Sequence, residues 1–195
     1  MDYSQIACII MASGLGSRFG SNKLMATFNR GPLIENALVL TAAFPNRLVV
    51  TRHKEVQDLC QKQQIPALLH QEPGQNDTVR LGVGALHKAR PLGYLFCVGD
   101  QPLLKAASLT ALCQSFLAQP DYIYRCSFKG RPGNPIIFPA KYAAELMQLP
   151  MDKGGSYLAK KYPEQVRLIP VQESFELYDI DTLEDLDHLS LFVLR

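Results

Sequence analysis

The sequence predicts an α/β fold: a three-layer sandwich in which a mostly parallel sheet is covered by helices on both faces. Three observations carry that expectation. Strand-like apolar runs alternate with helix-periodic segments along the chain, the pattern that yields parallel sheets. Two of the runs, Ile6–Met11 and Tyr94–Val98, are apolar at nearly every position, as strands buried on both faces are. No linker, low-complexity tract or repeat interrupts the 195 residues, so a single domain over residues 1–195 is expected.

The elements follow in order. Ile6–Met11 reads as a buried strand and runs into a glycine-rich turn. Pro32 suits the first turn of a helix that continues to about Phe44, with Ile34, Ala37, Leu38 and Thr41 on one face. Leu48–Thr51 is a second strand, Lys54–Gln64 a helix and Ala67–Leu69 a third strand. Asn76, Asp77 and Thr78 offer capping oxygens for a helix to about Ala89, whose Val79, Val83 and Leu86 face the core. Tyr94–Val98 is a central strand, and the helix after it carries the stripe Leu109, Leu112, Cys113, Phe116 and Leu117. Tyr122–Cys126 is a strand, Lys129–Pro135 a turn, and Ile136–Phe138 a further strand. Helices are expected over Lys141–Leu149 and Ser156–Lys161, strands over Val166–Val171 and Glu176–Ile180, and a last helix over Thr182–Leu189.

Composition excludes several classes of function. The formal charge is +2, with cations and anions mixed along the chain, which argues against a nucleic-acid partner wanting a dense basic face. The run at Ile6 is too short for a signal segment or a membrane span, so no membrane partner and a cytoplasmic location are expected. The five cysteines form no C-x-x-C pair and sit in apolar surroundings, as small buried hydrophobes do. The four histidines are scattered without metal-ligand spacing.

The turn after the first strand is the most informative segment. Gly14, Gly16 and Gly20 permit positive φ and close backbone approach to a ligand, and Arg18 and Lys23 follow at once. Successive amides in such a turn form an anion nest to which two fixed cations add charge, an arrangement suited to a nucleoside triphosphate. The dinucleotide fingerprint fails, because Phe19 stands where its last glycine belongs. The P-loop fails too, because Lys23 lies between Asn22 and Leu24 rather than after glycine and before serine or threonine.

Asp100 ends a second apolar strand. Ligands of parallel sheets gather at the carboxyl ends of the strands, so the glycine turn and Asp100 should meet there. Asp100 is a turn former or, beside a triphosphate, a Mg²⁺ ligand. Asp179 and Asp181 alternate with Ile180 and point to one side of an extended segment. Asp181 is either the cap of the last helix or a second metal ligand. Asn76 and Asp77 either cap their helix or hydrogen-bond a base or ribose. Arg131–Pro135 and Asp152–Gly155 are rigid turns or the walls of a second, phosphate-bearing substrate site.

Taken together, Ala12-Ser13-Gly14-x-Gly16-x-Arg18-Phe19-Gly20-x-x-Lys23, Gly99-Asp100-Gln101-Pro102, Gly133-Asn134-Pro135, Asp152-Lys153-Gly154 and Asp179-Ile180-Asp181-Thr182-x-Glu184-Asp185 resemble the molybdenum-cofactor nucleotidyltransferases. The resemblance spans nearly the whole chain. It is nearest to the cytidylyltransferases, including the accessory branch associated with molybdenum hydroxylases, which Asn76–Gly82 resembles in particular. It implies a Rossmann-like, glycosyltransferase A-type fold and transfer of CMP from CTP to the terminal phosphate of molybdopterin with Mg²⁺. It assigns the backbone of Ala12, Ser13, Gly14, Leu15 and Gly16 to the nucleotide, and Asn76, Asp77 and Gly99 are expected to contact the nucleotide beside them. Arg18 and Lys23 go to the triphosphate and, with Asp100, to catalysis; Asp100 and Asp181 go to the metal; Asn134, Lys153 and Gly154 go to the pterin. The alternatives are transfer from GTP or to another phosphate acceptor, and a non-catalytic carrier that delivers the cofactor to a hydroxylase.

Overall fold

A computed structural model describes residues 2–193. One seven-stranded sheet organises the chain. Its strands are β1 (Ile6–Ala12), β4 (Arg47–Thr51), β5 (Ala67–Leu69), β6 (Gly93–Val98), β7 (Ile123–Phe128), β8 (Arg131–Pro139) and β9 (Val166–Pro170). Their spatial order is β5-β4-β1-β6-β8-β7-β9. β1 pairs parallel with β4 and β6, β4 with β5, and β7 with β9; β8 alone runs against its neighbours β6 and β7. The strands β2 (Thr27–Phe28) and β3 (Gly31–Pro32) form a separate small hairpin.

Alternation along β1 builds both layers. Ile6, Cys8 and Ile10 pack with α1 (Glu35–Leu40), α2 (Lys54–Lys62) and α4 (Ala106–Ala118) through Leu38, Val56, Leu112 and Phe116. Ala7 and Ile9 face the opposite layer of α3 (Gln75–Leu86), α5 (Ala143–Met147) and α6 (Gly155–Lys161) through Val79, Val83, Leu146 and Leu158. Each fully buried branched side chain here contributes about 1.5–3 kcal/mol. Gly82 lets α3 lie against the sheet, since a Cβ there would stand 2.7 Å from Cγ2 of Ile9.

A third, smaller cluster positions the site. Phe19, Phe28, Leu33, Ile180 and Leu189 bury against one another. Leu189 belongs to the last helix, α7 (Leu183–Val193). Phe19 follows Arg18, and Ile180 lies between Asp179 and Asp181. The same apolar contacts therefore hold the glycine turn and the acidic segment side by side.

Three expectations are corrected. The helix expected from Pro32 to Phe44 shrinks to Glu35–Leu40, because Gly31–Pro32 pairs with Thr27–Phe28 before it can begin. The turn expected over Lys129–Pro135 is only Lys129-Gly130, whose φ values of 48° and 78° suit a tight hairpin, and β8 starts at Arg131. The strand expected at Glu176–Ile180 is replaced by a 3-10 turn over Ser174–Leu177. There the buried Glu176 carboxylate accepts from the backbone N–H groups of Lys105, Gln172 and Glu173 and from the Ser108 hydroxyl.

Candidate active site

The four parallel strands β5, β4, β1 and β6 end at one edge, and their next residues form the site. The loop after β1 is held from behind by the residues that close β4. Thr51 Oγ1 donates to the Ala12 carbonyl (2.9 Å) and Arg52 Nε to that of Ser13 (3.0 Å), while His53 Nε2 lies 2.8 Å from the Gly14 oxygen. Ser13 Oγ donates to the Val50 carbonyl (3.1 Å) and sits 2.8 Å from Nε2 of His70, which follows β5. Burial, and then the Arg52 cation, press the His70 pKa below its ordinary value, so the imidazole is held neutral.

With these carbonyls tied back, the amides of Gly14, Leu15 and Gly16 have no protein acceptor among the described residues. They are the donors that an anion nest requires. Gly16 (φ +60°) and Gly20 (φ +80°) adopt the left-handed conformation expected of them. Gly14 does not, and the space a Cβ would take there is open. At Gly16 a Cβ would meet the Ser21 carbonyl oxygen at 2.6 Å.

Lys23 is the centre of the charge cluster. Its side chain is 7% exposed, and its Nζ lies 2.7 Å from Asp100 Oδ2 and 2.7 Å from Asp181 Oδ1. Burial disfavours the ammonium, yet the two carboxylates outweigh burial and raise its pKa. Arg18 Nη2 meets the other Asp181 oxygen at 2.8 Å. The Asp181 carboxyl is accordingly held below the usual range, by the Lys23 hydrogen bond first and Arg18 after it. The Ile180 amide donates to the Asp100 carbonyl (3.0 Å), which brings the acidic segment against the end of β6. Asp179 takes a hydrogen bond from Gln101 (2.9 Å). Its carboxyl is pushed up to about 6 by desolvation, then by repulsion from Asp100 and Asp181.

This donor set suits a divalent cation. Asp100 and Asp181 turn one oxygen each onto a single point, with a third carboxyl crowding them. Among the described residues no three His, Cys, Asp or Glu side chains form a complete metal cage. Magnesium ordinarily asks for one or two carboxylates and takes its other ligands from phosphate and water.

Beside the cluster lies a cleft of about 210 Å³, walled by Met11, Ser13, Gly14, Gln75, Thr78 and Asp100 among others. A second, of about 90 Å³, shares Met11, Gln75 and Val98 with it and adds Asn134, Gly154 and Ser156. Asn134 and Gly154 thus line a cleft adjoining the one walled by Gly14 and Asp100. Lys153 lies outside that lining, on the exposed face of its turn. Asn76 and Asp77 line neither cleft and are engaged within the protein. Asn76 Oδ1 accepts from the Asp152 amide (3.1 Å), and Asp77 accepts from the Gly74 amide (3.1 Å) and from Arg80 (3.0 Å). Their neighbours Gln75 and Thr78 form the wall instead. Thr78 is 1% exposed, and its hydroxyl has no partner among the described residues. Thr182, not Asp181, caps the last helix, exchanging hydrogen bonds with Asp185. Gly99 packs against Ile34 and Leu24 and lets the end of β6 pass beneath them.

Sequence reasoning overlooked Arg52, His53, His70 and Gln75, while Thr78 stood in the Asn76–Arg80 segment read as a cap or a base contact. The first three follow parallel strands directly, so the rule that found Asp100 would have found them.

A parallel sheet with a glycine nest, a buried lysine and paired aspartates at its carboxyl edge defines a nucleotide-dependent group-transfer enzyme. Residues 8–166 match the MobA-like NTP transferase domain, and the chain belongs to that family of nucleotidyltransferases. No curated protein matches it in sequence. In fold it is similar to Rv0371c from Mycobacterium tuberculosis H37Rv (TM-score 0.84, 21% identity, covering 96% of this chain and 98% of that one). That mycobacterial protein is also known in complex with manganese. A nucleotidyl transferase from Methanothermobacter thermautotroptrophicus, Mth528, is similar as well (TM-score 0.81, 21% identity, 98% of each chain). So is a CMP:2-keto-3-deoxy-manno-octonic acid synthetase complexed with CTP (TM-score 0.78, 14% identity, 97% and 98%). The fold is the Rossmann-like nucleotidyltransferase fold. No helix of the described residues is long and apolar enough to cross a membrane.

Proposed function

We propose that the protein transfers CMP from CTP to the terminal phosphate of molybdopterin and releases pyrophosphate. One observation carries the transfer reading: Gly14 of the nest and Asp100, which is paired with Lys23, line one cleft, and that cleft shares Met11, Gln75 and Val98 with a second. An oxygen of the acceptor phosphate forms the new bond to the α-phosphorus as the bond to the β-phosphate oxygen breaks. The nucleophile is already anionic, so the site needs position and positive charge rather than a strong base.

The nest amides and Arg18 hold the β- and γ-phosphates. Lys23 swings part of its hydrogen bonding from the aspartates to the leaving pyrophosphate. Gln75 and the Thr78 hydroxyl face the base, where a buried group lacking a partner gains most from a ligand. Asn134 and Gly154 face the acceptor. Asp100 and Asp181 would hold Mg²⁺, which when bound neutralises charge on the α-phosphate. The manganese and CTP complexes of the similar proteins support a metal and a pyrimidine nucleotide. The order of motifs along the chain supports the molybdopterin acceptor and a molybdenum hydroxylase as the downstream partner.

The test is pyrophosphate release by the purified protein with molybdopterin and Mg²⁺, comparing CTP, GTP and ATP. Release with CTP that depends on molybdopterin is the expected result. Faster release with GTP would reassign the base. Tight molybdopterin binding without release would make the protein a carrier.

A further inference from the structure

Arg125 is a buried cation with no counter-charge. It lies on β7, 8% exposed, and among the described residues no carboxylate comes within 4.0 Å of it. Its Nε donates to the Gly133 carbonyl at 3.0 Å and its Nη2 reaches Ser156 Oγ at 3.4 Å; Nη1 has no hydrogen bond among the described residues. Two neutral partners do not offset the desolvation of a guanidinium, whose burial ordinarily demands an anion.

Its position shows where such an anion would come from. Arg125 pairs across the ladder with Ile136, so both side chains stand on the sheet face that lines the smaller cleft. The ladder then slips: Ser127 pairs with Pro132, and Gly133, Asn134 and Pro135 bow out opposite Cys126. Arg125 itself stands just behind that lining, tying the bowed segment through Gly133 to α6 through Ser156, which does line the cleft, and none of the cleft's lining residues carries a positive charge. Resting on the transfer reading above, we propose that Arg125 is the anion-recognising residue of the acceptor cleft and takes a phosphate monoester of the acceptor. The planar fork of arginine fits a phosphate in two-point contact.

Two measurements test it. In the first, the Nε–H resonance of Arg125, assigned by its loss in Arg125→Lys, is followed while inorganic phosphate is titrated into protein whose glycine nest is already filled with CTP. A saturable shift is expected; an unmoved resonance overturns the proposal, whether or not the protein transfers CMP. In the second, Arg125→Gln raises the acceptor KM by about tenfold or more, the worth of one charged hydrogen bond, and leaves the CTP KM within about twofold. Arg125→Lys recovers part of that loss. A residue that merely pins the strand would instead lower kcat and stability with the acceptor KM unchanged, and that result too overturns the proposal. If no nucleotide yields pyrophosphate in the wild type, the transfer reading fails while the resonance still decides the role of Arg125.

Discussion

Replacing Lys23 by methionine removes the one buried cation between Asp100 and Asp181 and keeps the bulk of the side chain. Three carboxyls, those of Asp100, Asp179 and Asp181, are then left with Arg18, whose side chain is 70% exposed, as the remaining ion-pair partner. Breaking a fully buried pair costs about 3–5 kcal/mol. Here the aspartate side chains are 21% and 35% exposed, so solvent recovers part of the loss. We expect a cost of about 2 kcal/mol, which in a chain of this size lowers Tm by roughly 4–8 °C. The variant is also a better cation site, because the ammonium no longer competes for the two oxygens. Manganese at about 100 times its Kd would return about 2.7 kcal/mol and erase the deficit. Pyrophosphate release would still fall by about 10²–10³, since the charge that steadies the leaving group is gone. Thermal unfolding with and without Mn²⁺, run beside the release assay, reads all three effects. A Tm within about 1 °C of wild type, no added benefit from Mn²⁺ and unchanged release would refute the charge-cluster argument.

Thr78→Val deletes a buried hydroxyl that has no partner among the described residues. It should leave the free protein equally stable or up to about 1 kcal/mol more stable while weakening CTP binding, and calorimetry beside urea unfolding separates the two. Gly16→Ala forces a methyl towards the Ser21 carbonyl at a φ of +60°. It should cost about 1–2 kcal/mol and raise the CTP KM, with the acceptor KM unmoved in steady-state kinetics. His70 binds its proton more weakly folded than unfolded, so its contribution to stability is full above the ordinary 6.5 and is lost as pH falls below it. The urea midpoint of wild type should drop between pH 7.5 and 5.5, and His70→Gln should reduce that drop; an equal drop in both would remove His70 from the explanation.

The nucleotide half of the site was legible because its signals are local. An apolar strand followed by Gly14, Gly16, Arg18 and Lys23, and another followed by Asp100, need only the rule for strand ends to be brought together. The second half depends on contacts between distant residues. Pro132, Gly133 and Pro135 read as a turn, yet the hairpin requires only Lys129 and Gly130, so Pro132 pairs with Ser127 of β7 while Gly133–Pro135 bow out of the ladder. Asn76 looks like a cap or a base contact until Asp152 arrives to claim its oxygen. Glu176 looks like part of a strand because nothing in its neighbourhood shows that Lys105 and Ser108 will bury it.

The lone reversed strand has an evolutionary consequence. β8 enters the reactive edge at its amino end, fed by a two-residue hairpin from β7, whereas the glycine turn and Asp100 arrive from the finish of parallel strands. On the proposed transfer reading, changes to that hairpin and the bowed stretch after it would refit the protein to a new acceptor without disturbing the machinery that activates the nucleotide. Diversification of partner molecules around an unchanged activation chemistry is the history such a layout permits.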